Sequence, residues 1–140
     1  MLARVLRYSP HRPYGESERQ MANEYTAAQI RTGNRRLLKL AGILDKADAK
    51  HRAKGEPTYE QDRMVHTCGT PACAAGHAEA DPGLRRAGLK VNSYRTFVDF
   101  FSIDRAEDDE LFGFKGCGKA QTAKQAAKYI RKFVKNRSAS

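Results

Sequence analysis

The side chains most able to do chemistry are gathered in one short stretch, His66, Cys68, Cys73 and His77, within HTCGTPACAAGH. Two thiolates and two imidazoles form a suitable tetrahedral set for zinc, and Cys73 and His77 stand one helical turn apart. The four-residue gap between Cys68 and Cys73 is looser than the usual zinc-knuckle spacing. A second chemistry is nucleophilic. In the first turn of a helix the Cys73 thiol would be lowered in pKa by the dipole and the free N–H groups, with a nearby His as base. The alanines around it argue for burial rather than a cleft, and no third residue stands out to orient such a pair. A Cys68–Cys73 disulfide, structural or formed on oxidation, is a third arrangement. The plainest alternative is packing. A buried cysteine behaves as a small hydrophobe, Gly69 and Gly76 permit close backbone approach, and His77 fills a core slot with its ring nitrogens hydrogen-bonded.

The elements that must hold this stretch read as helices. Thr70 is placed to N-cap a small-residue helix from Pro71 to Ala80, with Pro71 at the first helical position and Asp81-Pro82-Gly83 as its end. Upstream, Thr26 and Gln29 fit a capping box. Ile30, Leu37, Leu38, Leu40, Ala41 and Leu44 then gather on one side, and Arg31, Arg35, Lys39 and Lys46 on the other. Thr32-Gly33-Asn34 is a candidate interruption, after which Asn34 would cap a main helix running to about Ala49. Lys50 to Pro57 reads as a charged connection, and Thr58 to Thr67 as an irregular lead-in to the cysteines.

Downstream of Gly83 the pattern is a basic turn at Gly88, then a helix capped by Ser93 with Tyr94, Phe97, Val98 and Phe101 on one face. Ser102-Ile103 breaks it, and Asp104 caps a short acidic helix, Arg105 to Phe112. This helix–turn–helix outline is a poor DNA reader, because Asp104, Glu107, Asp108, Asp109 and Glu110 on its second helix would repel phosphates. Lys115 to Lys119 is a glycine loop in which Cys117 reads as a loop thiol. Thr122 and Gln125 form another expected capping box. The final helix sets Ala123, Ala126, Ala127, Ile130, Phe133 and Val134 against a basic stripe of Lys124, Lys128, Arg131 and Lys135. His11 and His51, in basic polar segments, read as exposed. Leu37, Leu40, Leu44, Cys73, His77, Phe97, Phe101, Leu111, Ile130 and Val134 are the expected core.

A chain of 140 residues, 40% hydrophobic and 30% charged, fits one globular domain. The fold class expected is mainly α, about five helices in a single compact domain packed around the Pro71 to Ala80 helix. The organisation expected is a flexible basic arm over residues 1–22, the helical domain over 23–136 and a disordered tail over 137–140, with either Met1 or Met21 as the natural start. No apolar run approaches the ~20 residues that span a bilayer, so no membrane contact is expected. Three cysteines are too few for a secreted disulfide framework, which points to a reducing, cytoplasmic setting. The net charge is +10 and unevenly spread: residues 115–140 hold eight basic and no acidic side chains, while 56–83 hold one basic against five acidic. Such a surface attracts polyanions without needing sequence specificity. The residues best placed for nucleic acid are Arg31, Arg35, Arg36 and Lys39 on the first helix and Lys124, Lys128, Arg131, Lys135 and Arg137 on the last.

The run Cys68-Gly69-Thr70-Pro71-Ala72-Cys73-Ala74-Ala75-Gly76-His77-Ala78 resembles the CGTxxCxxG(W/H)A signature of small uncharacterised proteins from bacteria and their phages or plasmids. The flanking leucine-rich helix, the aromatic helix, the helix ending Leu111-Phe112 and the pattern from Thr122 to Phe133 extend the likeness over roughly residues 34–134. The resemblance implies a bacterial or mobile-element protein in a bacterial cytoplasm, and it brings no activity with it. It also implies Trp in many relatives where this chain has His77, which weakens His77 as an obligatory metal ligand. The reading expected from the sequence is therefore a small basic binding protein, not an enzyme, with nucleic acid as first partner. A module that docks on a host or phage protein is the alternative. A zinc-stabilised or thiol-dependent protein using Cys68 and Cys73 is the second alternative, with His66 and His77 completing the metal set.

Overall fold

Thr26 opens the first helix through a reciprocal bond pair: its Oγ1 accepts the Gln29 N–H at 3.1 Å, and Gln29 Oε1 accepts the Thr26 N–H at 2.8 Å. The computed structural model describes residues 25–55, 59–60, 73–90, 94–113 and 116–139. Within them lie α1 (Ala27–Lys54), α2 (Ala74–Ala80), α3 (Pro82–Arg86), α4 (Tyr94–Phe101), α5 (Arg105–Phe112), a 3-10 turn (Cys117–Lys119) and α6 (Ala123–Ala139). No strand occurs among the described residues. The mainly α fold expected from the periodicities is what the chain adopts.

The longest interface is between α1 and α6, which run antiparallel. Asn34 meets Arg137 and Ser138 at one end, and Asp48 meets Lys124 at the other. Leu37, Leu40, Ala41 and Leu44 of α1 pack with Ala123, Ala126, Ala127 and Ile130 of α6 in one fully buried core. Burying each leucine contributes roughly 1.5–3 kcal/mol relative to leaving it in water. α4 closes the other flank of α1, where the Phe97, Phe101 and Phe112 rings make edge contacts, with centroids 5.1 Å apart for Phe97–Phe101 and Phe97–Phe112. α2 also packs on α1 and buries Ala74, Gly76, His77 and Ala78. All ten residues expected in the core are buried.

Several local expectations change. α1 is unbroken across Thr32-Gly33-Asn34. Gly33 stays helical because α4 ends against it, and a Cβ there would collide with the Phe101 carbonyl. α1 also outlasts Ala49. It ends at Gly55, whose φ of 70° supplies the left-handed C-cap. Its apolar face therefore runs on through Asp48 and His51, so His51 is buried rather than exposed. α2 is shorter than Pro71 to Ala80. Cys73 is extended (φ −104°, ψ 174°) and is the N-cap, while Thr70 and Pro71, the expected cap and first helical residue, lie outside the described residues. The expected turn at Gly88 is present, with Gly88 at φ 121°, and it follows the short α3, which the sequence did not suggest. Asp81 ends α2 and its carboxylate caps α3 by accepting the Leu84 N–H at 2.9 Å. Cys117 is buried, not a loop thiol. α6 continues through Arg137 to Ala139 where a disordered tail was expected. The arm over 1–22 and the proposed Ser93 cap lie outside the described residues.

The α4–α5 junction ties three helices together. Ser102 takes φ 52°, and the Ser102 and Ile103 N–H groups bond back to the Asp99 and Val98 carbonyls at 3.1 and 3.0 Å. This is a Schellman ending with serine where glycine is usual, at a conformational cost of about 1–2 kcal/mol. The Ser102 hydroxyl offsets it by donating to the Gln29 carbonyl of α1 at 2.8 Å. Arg137 of α6 completes the junction by donating to the Ser102 and Phe101 carbonyls at 2.6 and 3.2 Å and to Asn34 Oδ1 at 2.9 Å. Only 8% of its side chain is exposed.

Candidate functional site

Two regions were singled out by residue type, and the structure treats them oppositely. In the first, the Cys73 thiol caps α2 by accepting the Gly76 N–H at 3.4 Å. The Tyr59 hydroxyl accepts the Ala74 N–H at 3.3 Å beside it and also hydrogen-bonds the Cys117 side chain. Cys117 Sγ lies 3.8 Å from the Ala126 carbonyl, to which it donates. Two cysteines distant in sequence thus converge on one tyrosine inside the core. Burial pushes the Cys117 thiol up to about 12 and moves the Cys73 thiol and the Tyr59 hydroxyl upward as well. Both thiols are free and held neutral, the reverse of an activated nucleophile. The helix N-terminus does not lower Cys73, because desolvation outweighs its bonds to N–H groups.

Of the four expected zinc ligands, Cys73 and His77 are described and buried, while His66 and Cys68 lie outside the described residues. Among the described residues no group of three or more His, Cys, Asp or Glu side chains is arranged to hold a metal ion.

The second region is the outer face of the α1–α6 pair. Arg31, Arg35 and Lys39 are exposed on α1, as are Lys124, Lys128, Arg131 and Lys135 on α6. An open groove of about 610 Å³ runs between the helices, lined by Asp45, Asp48, Ala49, Arg52, Lys124, Lys128 and Arg131. Arg31 sits about five turns before Ala49 at 3.6 residues per turn, so both share one side of α1. Along the helix pair, Arg31 and Arg35 lie toward the end where Asn34 meets Arg137, and the groove lies toward the end where Asp48 meets Lys124. Arg131 bonds Asp45 across the groove at 2.6 Å. Asp48 lies at the groove floor, 4% exposed, accepting from Arg52 Nε at 2.7 Å and from the Lys124 backbone N–H at 3.4 Å. A carboxylate from α1 thereby caps the N-terminus of α6, next to Thr122 Oγ1, which accepts the Gln125 N–H at 3.1 Å. The Gln125 side chain accepts from Gln121 N–H at 2.7 Å instead of closing the expected box on Thr122.

Two expected contact residues are drawn inward. The Arg36 guanidinium stacks on Phe100, 4.1 Å from the ring centroid, and donates to the Phe100 carbonyl at 2.9 Å. Partial burial lowers its pKa. Arg137 belongs to the helix junction. The sequence carried the signal: Arg137 follows Ile130 by seven residues and Val134 by three, on the apolar face of α6. Asp48 and His51 follow Leu44 by four and seven, on the apolar face of α1.

No family model, curated protein or solved structure matches the chain. Among the described residues no helix is long and apolar enough to cross a membrane.

Proposed function

We propose that this is a small basic binding protein that holds nucleic acid on the α1–α6 face. The observation that carries the reading is an open groove edged by Lys124, Lys128 and Arg131 of α6 and Arg52 of α1. Lys124, Lys128 and Lys135 make no ion pair among the described residues, so their charge faces solvent. Such a face gains affinity by releasing counterions from phosphates. The alternative, docking on a host or phage protein, would draw on an apolar centre. Leu38 is the one large apolar side chain exposed among the described residues, and a lone exposed leucine is ordinary. The bacterial or phage origin suggested by the cysteine motif is compatible with either partner.

Charge reversal tests the reading. The triple variant Lys124→Glu, Lys128→Glu, Lys135→Glu should lose about 100-fold or more in affinity for nucleic acid near 100 mM salt, while its helical circular dichroism is unchanged. Retained binding in a folded triple variant would remove this face as the contact surface.

A further inference from the structure

We infer that the groove between α1 and α6 is a point site for a terminal phosphate, the phosphomonoester at the end of a nucleic acid strand, and not a stretch of track for internal backbone. The inference rests on the nucleic-acid reading above and narrows which part of the strand is held.

The groove is short. Its lining runs from Asp45 to Arg52 on α1 and from Lys124 to Arg131 on α6. Either stretch advances about 10 Å at 1.5 Å per residue. The volume of about 610 Å³ falls within the ~300–1,000 Å³ of sites that enclose a small ligand.

Charge in the groove suits one doubly ionised group. Lys124, Lys128, Arg131 and Arg52 stand against Asp45 and Asp48, which leaves two positive charges in excess. A phosphomonoester approaches two negative charges at neutral pH, its second pKa being about 6. Each internal phosphodiester carries only one. Lys124 and Lys128 are four residues apart, so they are neighbours on the surface of α6 and can converge on one anion.

The arginines are held in place without being used up. Asp48, 4% exposed, engages Arg52 through Nε at 2.7 Å. Asp45 engages Arg131 through one terminal nitrogen at 2.6 Å. A guanidinium has five N–H donors. Each arginine therefore keeps donors for the paired oxygens that a phosphate presents, on a side chain already ordered by its carboxylate.

Fluorescence anisotropy with the full chain tests this near 100 mM salt. The probes are one DNA strand of about 12 nucleotides, labelled on an internal base, with a phosphate at the 5′ end, at the 3′ end or at neither. At least one phosphorylated strand should bind about ten-fold tighter than the strand with two hydroxyl ends. A hydroxyl-ended strand two nucleotides longer, matched in added charge, should gain less than about two-fold. Arg52→Ala, at an exposed position, should reduce the ten-fold ratio to below about two-fold. The free 5′-mononucleotide should displace the phosphorylated strand only at about 100 times that strand's Kd or above. Displacement at a comparable concentration would make a free nucleotide the ligand and overturn the strand-end assignment. Equal affinity of all three strands would overturn the inference and leave nucleic-acid binding standing. Binding of none would overturn both.

Discussion

The cysteine cluster and the α1–α6 face hold opposite kinds of residue in opposite surroundings. Cys73, His77, Cys117 and Tyr59 belong to reactive residue types, and the fold buries all four. Desolvation keeps Cys73, Cys117 and Tyr59 protonated. The lysines of α6 are chemically ordinary, and the fold leaves them in water beside a groove. Residue type marks where chemistry is conceivable. Exposure decides where a partner can be met. Arg137 and Lys128 give the same contrast within one helix, the first joining three helices and the second facing solvent.

The largest effect expected from breaking this contrast is at Arg137. Arg137→Ala leaves the Phe101 and Ser102 carbonyls and Asn34 without their donor, and should cost about 3–5 kcal/mol in denaturant unfolding. Whatever fraction remains folded should bind nucleic acid with nearly wild-type affinity. A loss of affinity with no loss of stability would place Arg137 on the contact surface after all.

A smaller effect follows from the buried thiol. Cys117 has its folded pKa raised to about 12 from an ordinary value near 9. Its contribution is therefore complete below about pH 9 and declines as pH climbs toward 12, because the unfolded chain ionises first. The thermal midpoint should fall above pH 9, and the fall should be shallower in Cys117→Ala, with Tyr59 still contributing its own part. A thiol reagent at pH 8 should label Cys117 only as fast as the chain opens. Immediate labelling in the native state would contradict the buried assignment.

The smallest effect is at Cys73, and it separates capping from chemistry. Cys73→Ser keeps an acceptor at the N-cap, and serine is among the favoured capping residues. Stability should change by less than about 1 kcal/mol, and nucleic-acid affinity by less than about two-fold. A large loss of affinity in this variant would show that the sulfur does more than cap.

Much of the fold was legible because its signals are local or periodic. The Thr26–Gln29 box and the Asp104 cap form as expected, and Glu107 closes the second into a box as well. Leu37, Leu40 and Leu44 of α1 and Ala123, Ala126 and Ala127 of α6 face inward as their 3.6-residue period requires, whereas Leu38, expected on the same side, is exposed. What failed to show was set by tertiary contact. Gly33 looks like a helix breaker until Phe101 is seen against it. Cys117 looks exposed between two glycines, yet those glycines allow the backbone to pass close to Gly113 and Leu111 and carry the thiol inward. The candidate site was legible as a basic stripe on the last helix, while the groove beside it was not, since nothing local relates Asp45 and Arg52 to Lys124 and Arg131.

The antiparallel pairing of α1 with α6 also sets an order of events during synthesis. Contacts such as Arg137 to Asn34 join residues separated by 103 positions. Long-range pairings of this kind form late, because the intervening chain must first be closed into a loop. On the ribosome, α1 emerges with Leu37, Leu40 and Leu44 uncovered, and α2 and α4 can cover only part of that face before α6 has been made. A nascent chain halted before Ala123 should therefore recruit a hydrophobic-binding chaperone, and one extended past Ala139 should release it.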